Sequence, residues 1–460
     1  MSELRKDSLS FFEALGQSVA NVSPTLTPAL SVAVVASIAG TASWLVFFMC
    51  TVALFMVALN IAALAGRIPA AGSFFIYVSR SLGPVWGVLS GWAMLAAYIF
   101  TAMALTVATS IFAKTFCASI GIALALPNWL IYLAVSVLVW LLATRDIRIS
   151  SRIGLTLEAI SVAIILAVII VTLSHYHFKP DTAQLTLKGS SFGGVAQAIV
   201  FGIFSFVGFE SAASLGKETK NPKVTIPKAI IWTAISSGIF FMVTSYAITQ
   251  GFGDNAAALG ASAAPLGDIA NKIGKWMTAP VYFGATVSSF ACALASLNSF
   301  GRMLFSLGRY QFVHNSMGLV HKTRRTPFVA LSAGAVINFV VCAIFSAQAE
   351  TNTYGWYGTL ASYGFIAVYL LCSIAAPVLL RRTGELKAKH VVFGALGVVF
   401  MLFALGGSVY PVPAAPYNYF PYAFLAYLLI GFIWFSYIKL RSPQVLAGIG
   451  HDLEAAAAAE

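Results

Sequence analysis

Charge is what this 460-residue chain has least of: 9% of its residues are Asp, Glu, Lys or Arg, while 59% are hydrophobic. A soluble domain of this length has too little interior to hide that much apolar surface. Cysteine is scarce as well. Cys50, Cys117, Cys292, Cys342 and Cys372 lie within or at the ends of apolar segments with no CxxC spacing, which excludes a disulfide framework and a thiolate metal site. The six histidines (His175, His177, His314, His321, His390, His451) all fall in loops or at segment ends, so no membrane-embedded metal site is expected from them. His175 and His177 form an H-x-H pair that reads as a solvated loop. No G-x-x-x-x-G-K-[ST] segment occurs, which argues against ATP-driven work by this chain. The first sixteen residues lack the order of a cleavable leader, and none is expected. Paired carboxylates or a His–Asp set are missing, so the chain is expected not to be an enzyme and to need no cofactor. A pore lined by repeated polar faces or a filter loop is also missing, which counts against a channel. The net charge of +12 would suit nucleic acid only if the basic residues shared one soluble face, and they do not.

What the chain has instead is a succession of apolar runs of about 20 residues, each long enough to cross a bilayer core as a helix. Lipid forbids open sheet edges and unpaired backbone, so the expected fold is an all-α integral membrane bundle. About twelve spans are expected, near 12–39, 42–66, 84–113, 128–143, 152–174, 192–215, 227–250, 278–307, 327–347, 355–380, 390–409 and 419–438. With both termini in the cytoplasm, all 27 basic residues except Lys114, Lys179, Lys188, Lys272 and Lys275 fall on the inner side. That is the asymmetry of the positive-inside rule, and it explains the net charge through topology. The expected layout is a cytoplasmic N-terminus (1–11), a core of ten spans (12–380), two further spans (390–438) and a cytoplasmic tail (439–460) whose Ala-rich end reads as disordered. The compact loops suggest a bacterial inner membrane.

Two of the spans are interrupted. In the sixth, Ser205-Phe206-Val207-Gly208-Phe209 breaks an apolar helix and Glu210 follows at once. A carboxylate at such depth is costly and usually faces a cavity or an ion path. In the first, Ala20-Asn21-Val22-Ser23-Pro24-Thr25-Leu26-Thr27-Pro28 carries two prolines, neither of which donates a backbone hydrogen bond, beside three hydroxyls. Breaks five spans apart are the mark of an inverted repeat, spans 1–5 (12–174) against spans 6–10 (192–380), with a ligand held between the broken helices. The bland alternative is a pair of proline or glycine kinks tolerated by neighbouring helices.

The stretch FSFVGFESAASLGKETKNPKVTIPKAI, starting at Phe204, resembles the sixth-span signature of the amino acid–polyamine–organocation (APC) permeases. Further stretches resemble that family in the same order: Ile68-Pro69-Ala70-Ala71-Gly72-Ser73 with Tyr77, Gly83-Pro84 with Gly91-Trp92, Arg148 to Arg152, Ser296 to Phe305, and Arg325-Thr326-Pro327. The resemblance covers about residues 10–440. It implies a LeuT-type 5+5 inverted repeat plus two C-terminal helices, working as a secondary carrier by alternating access. It also implies roles. Phe204 would be an aromatic gate, Ser205 and Val207 would offer backbone groups, and Asn21, Val22, Ser23 and Thr25 would meet a substrate carboxylate. Glu210 would couple the inner gate to span 1 and is the candidate for proton coupling. Ser288 and Ser289 stand where sodium-coupled relatives place hydroxyl ligands.

Other readings stay open for these residues. The alternative for Glu210 is that it bonds only backbone amides of span 1, for the serines that they bond their own helix, and for the phenylalanines that they pack. Tyr98 and Tyr363 are further cavity candidates, and Glu158, placed near the cytoplasmic start of span 5, reads as structural or interfacial. The chain departs from the family in lacking a G-x-G break in span 1, in having Ser161 where some members carry a span-5 lysine, and in reading Arg309-Tyr310-Gln311 after span 8. The coupling ion therefore stays open between H+ and Na+. Neutral residues dominate the named positions, so the expected partner is a neutral or zwitterionic amino acid or a small amine. A polyamine or an exchanger role is the alternative, with a non-transporting sensor behind it.

Overall fold

The computed structural model describes residues 8–68, 73–145, 147–262, 264–410 and 412–441. The motif residues Pro69 to Gly72, the start of the N-terminal segment and the Ala-rich tail lie outside them.

Among the described residues the chain is helical throughout, and its one bridge of strand type joins Leu9 to Thr219. The helices are α1 (Phe11–Val22), α2 (Val32–Ala39), α3 (Ser43–Ala65), α4 (Ser73–Leu82), α5 (Pro84–Ser119), α6 (Asn128–Ala143), α7 (Ile147–His175) and α8 (Thr182–Leu185). There follow α9 (Phe192–Phe204), α10 (Pro222–Gly251), α11 (Ala256–Ala261), α12 (Pro265–Ile273), α13 (Thr278–Arg309), α14 (Phe328–Ile344), α15 (Glu350–Arg382), α16 (Ala388–Val409) and α17 (Phe420–Arg441). Among the described residues, eight helical runs are long and apolar enough to cross a membrane, the first of them reaching from Phe11 to Ala65 across the interruptions between α1, α2 and α3, and α6, α9 and α14 are shorter apolar helices. The chain is thus a multi-pass membrane protein.

Depth in the bundle follows the residue types. Helix α5 starts at Pro84, whose missing N–H costs nothing at a first turn. Its most apolar window is 89% buried, whereas that of the final helix is 22% buried. Helix α5 is rich in Ala, Gly, Ser and Thr, which let backbones approach, and it packs against α13 and α15. Helix α17 instead exposes Leu425, Leu429 and Ile433, as a lipid-facing helix does. Between these layers polar side chains join helices: Asn338 of α14 donates to Thr106 Oγ1 of α5 at 3.0 Å and to Ser136 Oγ of α6 at 2.9 Å.

Helices α7, α10 and α15 each start five residues before the span expected there, and the first of these shifts matters below. Span 5 is expected from residue 152, but α7 begins at Ile147, more than a turn earlier. Glu158 therefore sits 11 residues in, roughly 16 Å along the helix. It is fully buried among protein side chains, which accords with the structural half of the reading given to this residue.

Candidate functional site

The first break is sharp. Helix α1 ends at Val22, and Ser23 takes the left-handed conformation (φ 50°, ψ 67°) with its N–H shared between the Ala20 and Val19 carbonyls. A wide turn over Thr27–Ser31, with Pro28 at its start, leads into α2. The second break follows α9. Gly208 has φ +99°, a conformation side chains avoid, and a short 3-10 turn runs from Ser211 to Leu215.

These two breaks meet. A Cβ on Gly208 would lie 2.6 Å from Asn21 Nδ2 and 2.7 Å from Asn21 O, so only glycine permits the approach. Ser211 Oγ donates to Gln17 O at 3.1 Å, and Ala212 N donates to Ser18 Oγ at 2.9 Å, stitching the elements together below that contact. Asn21 is aimed by α13: Ser296 Oγ donates to Asn21 Oδ1 at 2.6 Å, and Cys292 Sγ to Asn21 O at 3.0 Å. With its oxygen engaged, Asn21 Nδ2 is left buried with no protein acceptor, and Thr25 Oγ1 is likewise buried and unpaired. Unmet donors of this kind are rare in folded proteins and mark places where something else completes the bonding.

A gap of about 10 Å³ lies at the junction, walled by Asn21, Val22, Leu26, Thr27, Thr101, Phe204, Ser205, Val207 and Cys292, none of them charged. That is at the lower limit for one water molecule. On the other side of Phe204 opens a cavity of about 520 Å³, lined by Ser31, Gln197, Phe201, Tyr354, Thr359 and Tyr363 among others. Phe204 and Ser31 border both spaces, and the Phe204 ring packs edge-on against Tyr354 with centroids 6.1 Å apart.

The structure thus gathers Asn21, Val22, Phe204, Ser205 and Val207, as expected from sequence. Tyr363 lines the large cavity rather than the junction. Tyr98 lines neither; it is fully buried and donates to Glu210 Oε1 at 3.1 Å. Tyr369 donates to Glu210 Oε2 at 2.6 Å. Glu210 is therefore held by hydroxyls from α5 and α15, and not by the backbone of α1. Sequence reading missed Tyr369, Thr101 and Cys292, since nothing in a run of apolar residues tells which helix face turns inward.

Ser288 and Ser289 separate. Ser289 Oγ donates to Ala285 O in its own helix at 2.7 Å. Ser288 Oγ contacts both Glu158 oxygens, at 2.8 and 2.9 Å, and lies 2.8 Å from Ser23 Oγ in the first break. Glu158, Ser288 and Ser23 are the oxygens that would hold a small cation here.

One end of the bundle is shut. Glu218 and Arg302, each 1% exposed at most, form a two-pronged ion pair at 2.7 and 3.1 Å. Arg302, counted from sequence among the basic residues of the inner side, is a fully buried cation in α13, and its pairing removes it as a receptor for an anion. The Glu218 carbonyl accepts Ser8 N at 2.8 Å and Leu9 N at 3.0 Å, so the N-terminal segment is laid across the same spot. Arg152 pairs with Glu13 at 2.8 Å nearby.

Comparison with known proteins adds to this geometry. Residues 9–434 match the model of a family described as amino acid permease. A branched-chain amino acid permease of Bacillus subtilis, BcaP, is 25% identical over 86% of this chain and 85% of its own length. The low-affinity putrescine importer PlaP of Escherichia coli is 26% identical over 68% of this chain and 70% of its own. An uncharacterised amino acid permease of Bacillus subtilis, YecA, is 27% identical over 84% and 89% respectively.

Proposed function

Because the chain belongs to the amino acid permease family, we propose that it carries a small amino acid across the membrane by alternating access, with the substrate held where the two broken helices meet. The observation that supports this reading most is the buried, unpaired Asn21 Nδ2 at the junction, facing the backbone of Gly208. An amide donor at a helix break suits a substrate carboxylate. In this proposal Val22, Ser23, Thr25, Ser205 and Val207 complete the site, the first ten of twelve spans form the LeuT-type 5+5 repeat, and both termini lie in the cytoplasm.

The chemistry of the walls favours a neutral or zwitterionic amino acid with an apolar side chain. The junction holds no carboxylate for a second ammonium group, and Glu210 is already engaged by Tyr98 and Tyr369. A diamine such as the one named for PlaP would leave a charge unpaired. The coupling cation belongs to the same proposal, with Glu210 as the proton candidate and Ser288, beside Glu158 and Ser23 in place of the expected Ser289, as the sodium candidate. Uptake into proteoliposomes with Na+ replaced by choline at fixed pH separates them.

The function is tested by uptake of radiolabelled leucine into proteoliposomes, with alanine, lysine and putrescine as competitors. Saturable leucine uptake blocked by apolar amino acids is expected. Phe204→Ala opens the junction to the large cavity and is expected to weaken substrate binding by about 2 kcal/mol, roughly 30-fold. Block by putrescine alone would overturn the substrate assignment.

A further inference from the structure

Serine hydroxyls in this bundle are commonly tied to their own helix. Ser289, Ser362 and Ser373 each donate to the carbonyl four residues back, at 2.7, 2.8 and 2.8 Å. That is the usual fate of a serine in an apolar helix. Ser296 of α13 differs. It is fully buried, and its hydroxyl reaches across to α1, 2.6 Å from Asn21 Oδ1. Four residues earlier, on the same face of α13, Cys292 Sγ donates to Asn21 O at 3.0 Å. Gln17 Nε2 donates to Ala295 O at 3.0 Å and to Ser299 Oγ at 3.3 Å, which fixes α1 against α13 one turn away.

The hydrogens decide what this contact does. A serine hydroxyl has one hydrogen to give, while a carboxamide has an oxygen that accepts and a nitrogen that donates. At 2.6 Å the contact suits an O–H···O bond and is shorter than an ordinary N–H···O bond. Ser296 therefore donates, and Asn21 presents Oδ1 to α13 and Nδ2 to the junction. Nδ2 is buried there without an acceptor, on a residue 1% exposed. With Oδ1 held by Ser296 and the peptide oxygen held by Cys292, both oxygens of Asn21 are spent and its amide donor is left. Turned by half a revolution, the same carboxamide would offer an oxygen, which attracts an ammonium group and repels a carboxylate. Asn21 and Cys292 border the gap at the junction and Ser296 does not, so Ser296 reaches a ligand only through Asn21.

We propose that Ser296, assisted by Cys292, is the positioning residue that sets the polarity of the site. By pinning the Asn21 carboxamide it makes the α1 side of the junction a receptor for a carboxylate, and so makes the carrier select amino acids over amines that lack one. The inference rests on the substrate site proposed above and names the group that gives that site its chemical selectivity. Discrimination between ligands is what the Ser296 hydroxyl supplies.

The test is titration calorimetry of the purified full-length protein with leucine and with isopentylamine, the same skeleton without the carboxylate. The parent protein is expected to prefer leucine at least about tenfold, the worth of one hydrogen bond to a charged group. Ser296→Ala frees the carboxamide to turn. It is expected to remove most of that preference by weakening leucine while leaving isopentylamine unchanged or tighter. Ser296→Thr keeps the hydroxyl and is expected to keep the preference. Ser296→Cys, a weaker donor, serves if Ser296→Ala does not fold, and an intermediate preference is expected. Asn21→Ala is expected to abolish the preference by itself, and adding Ser296→Ala to change it no further, because the serine acts through the asparagine. A preference in Ser296→Ala equal to that of the parent, or a loss of affinity shared equally by both ligands, would overturn the inference and leave the amino acid reading intact. A parent protein that prefers isopentylamine, or binds neither ligand, would overturn the carboxylate reading of the junction and this inference with it.

Discussion

The two ends of the bundle are built differently. At the end carrying the N-terminus, closure rests on the buried pair of Glu218 and Arg302, flanked by Glu13 against the largely exposed Arg152 and by the backbone of Ser8 and Leu9 paired to the Glu218 carbonyl. At the other end a cavity of about 520 Å³ stands open behind Phe204 and Tyr354, lined by hydroxyls, aromatic rings and one carboxamide. An uncharged wall can part and re-form at small cost, since each contact is weak. A buried ion pair has two sharp states, fully paired or hydrated, because an intermediate leaves a charge without partner or water. In the alternating access proposed above, the closed end would set the energy of the conformational change and the open end would decide what enters.

The largest effect is expected from breaking the closed end. Glu218→Gln leaves Arg302 buried and unpaired, a change that costs about 3–5 kcal/mol in other buried pairs. It is expected to lower the melting temperature in detergent and to expose a cysteine placed at Leu9 to a polar thiol reagent. Replacing both partners, Glu218→Gln with Arg302→Met, is expected to recover most of the melting temperature but not the closed state. Recovery of closure as well would mean that the pair is only structural.

Next in size is the contact between the breaks. Gly208→Ala adds a Cβ at φ +99° within 2.7 Å of Asn21, a strain of about 1–3 kcal/mol concentrated on the proposed site. Uptake is expected to fall at least tenfold with the protein still monodisperse. Gly193→Ala is the control: a Cβ there meets nothing within 4 Å, and uptake is expected to be unchanged.

That pair of glycines also shows what the sequence tells and what it does not. The break at Gly208 was legible because glycine and a carboxylate together are out of place in an apolar helix, and the break at Ser23 because two prolines flank hydroxyls. The partners of Glu210 were not legible. Tyr98 was read as lining a cavity and Tyr369 was overlooked, since which face of α5 or α15 points at α9 is decided by packing between helices far apart in sequence. The partners of Glu158 were not legible for the same reason: its bonds to Ser288, and through it to Ser23 of the first break, depend on which face of α7 turns to α13.

The smallest effect is expected where charge pairing at the closed end is exposed. Arg67 bonds Glu385 and donates to Ala63 O at 2.9 Å, but the Glu385 side chain is 51% exposed. The Arg67 guanidinium holds the Glu385 carboxyl below its usual range. Water and salt screen such a pair, and holding two long side chains together offsets much of the attraction. Glu385→Gln is therefore expected to leave both melting temperature and uptake unchanged at physiological salt, in contrast to Glu218→Gln on the same face. A loss comparable to that of Glu218→Gln would show that burial is not what separates the two pairs, and closure of this end would then be spread over its whole charged surface.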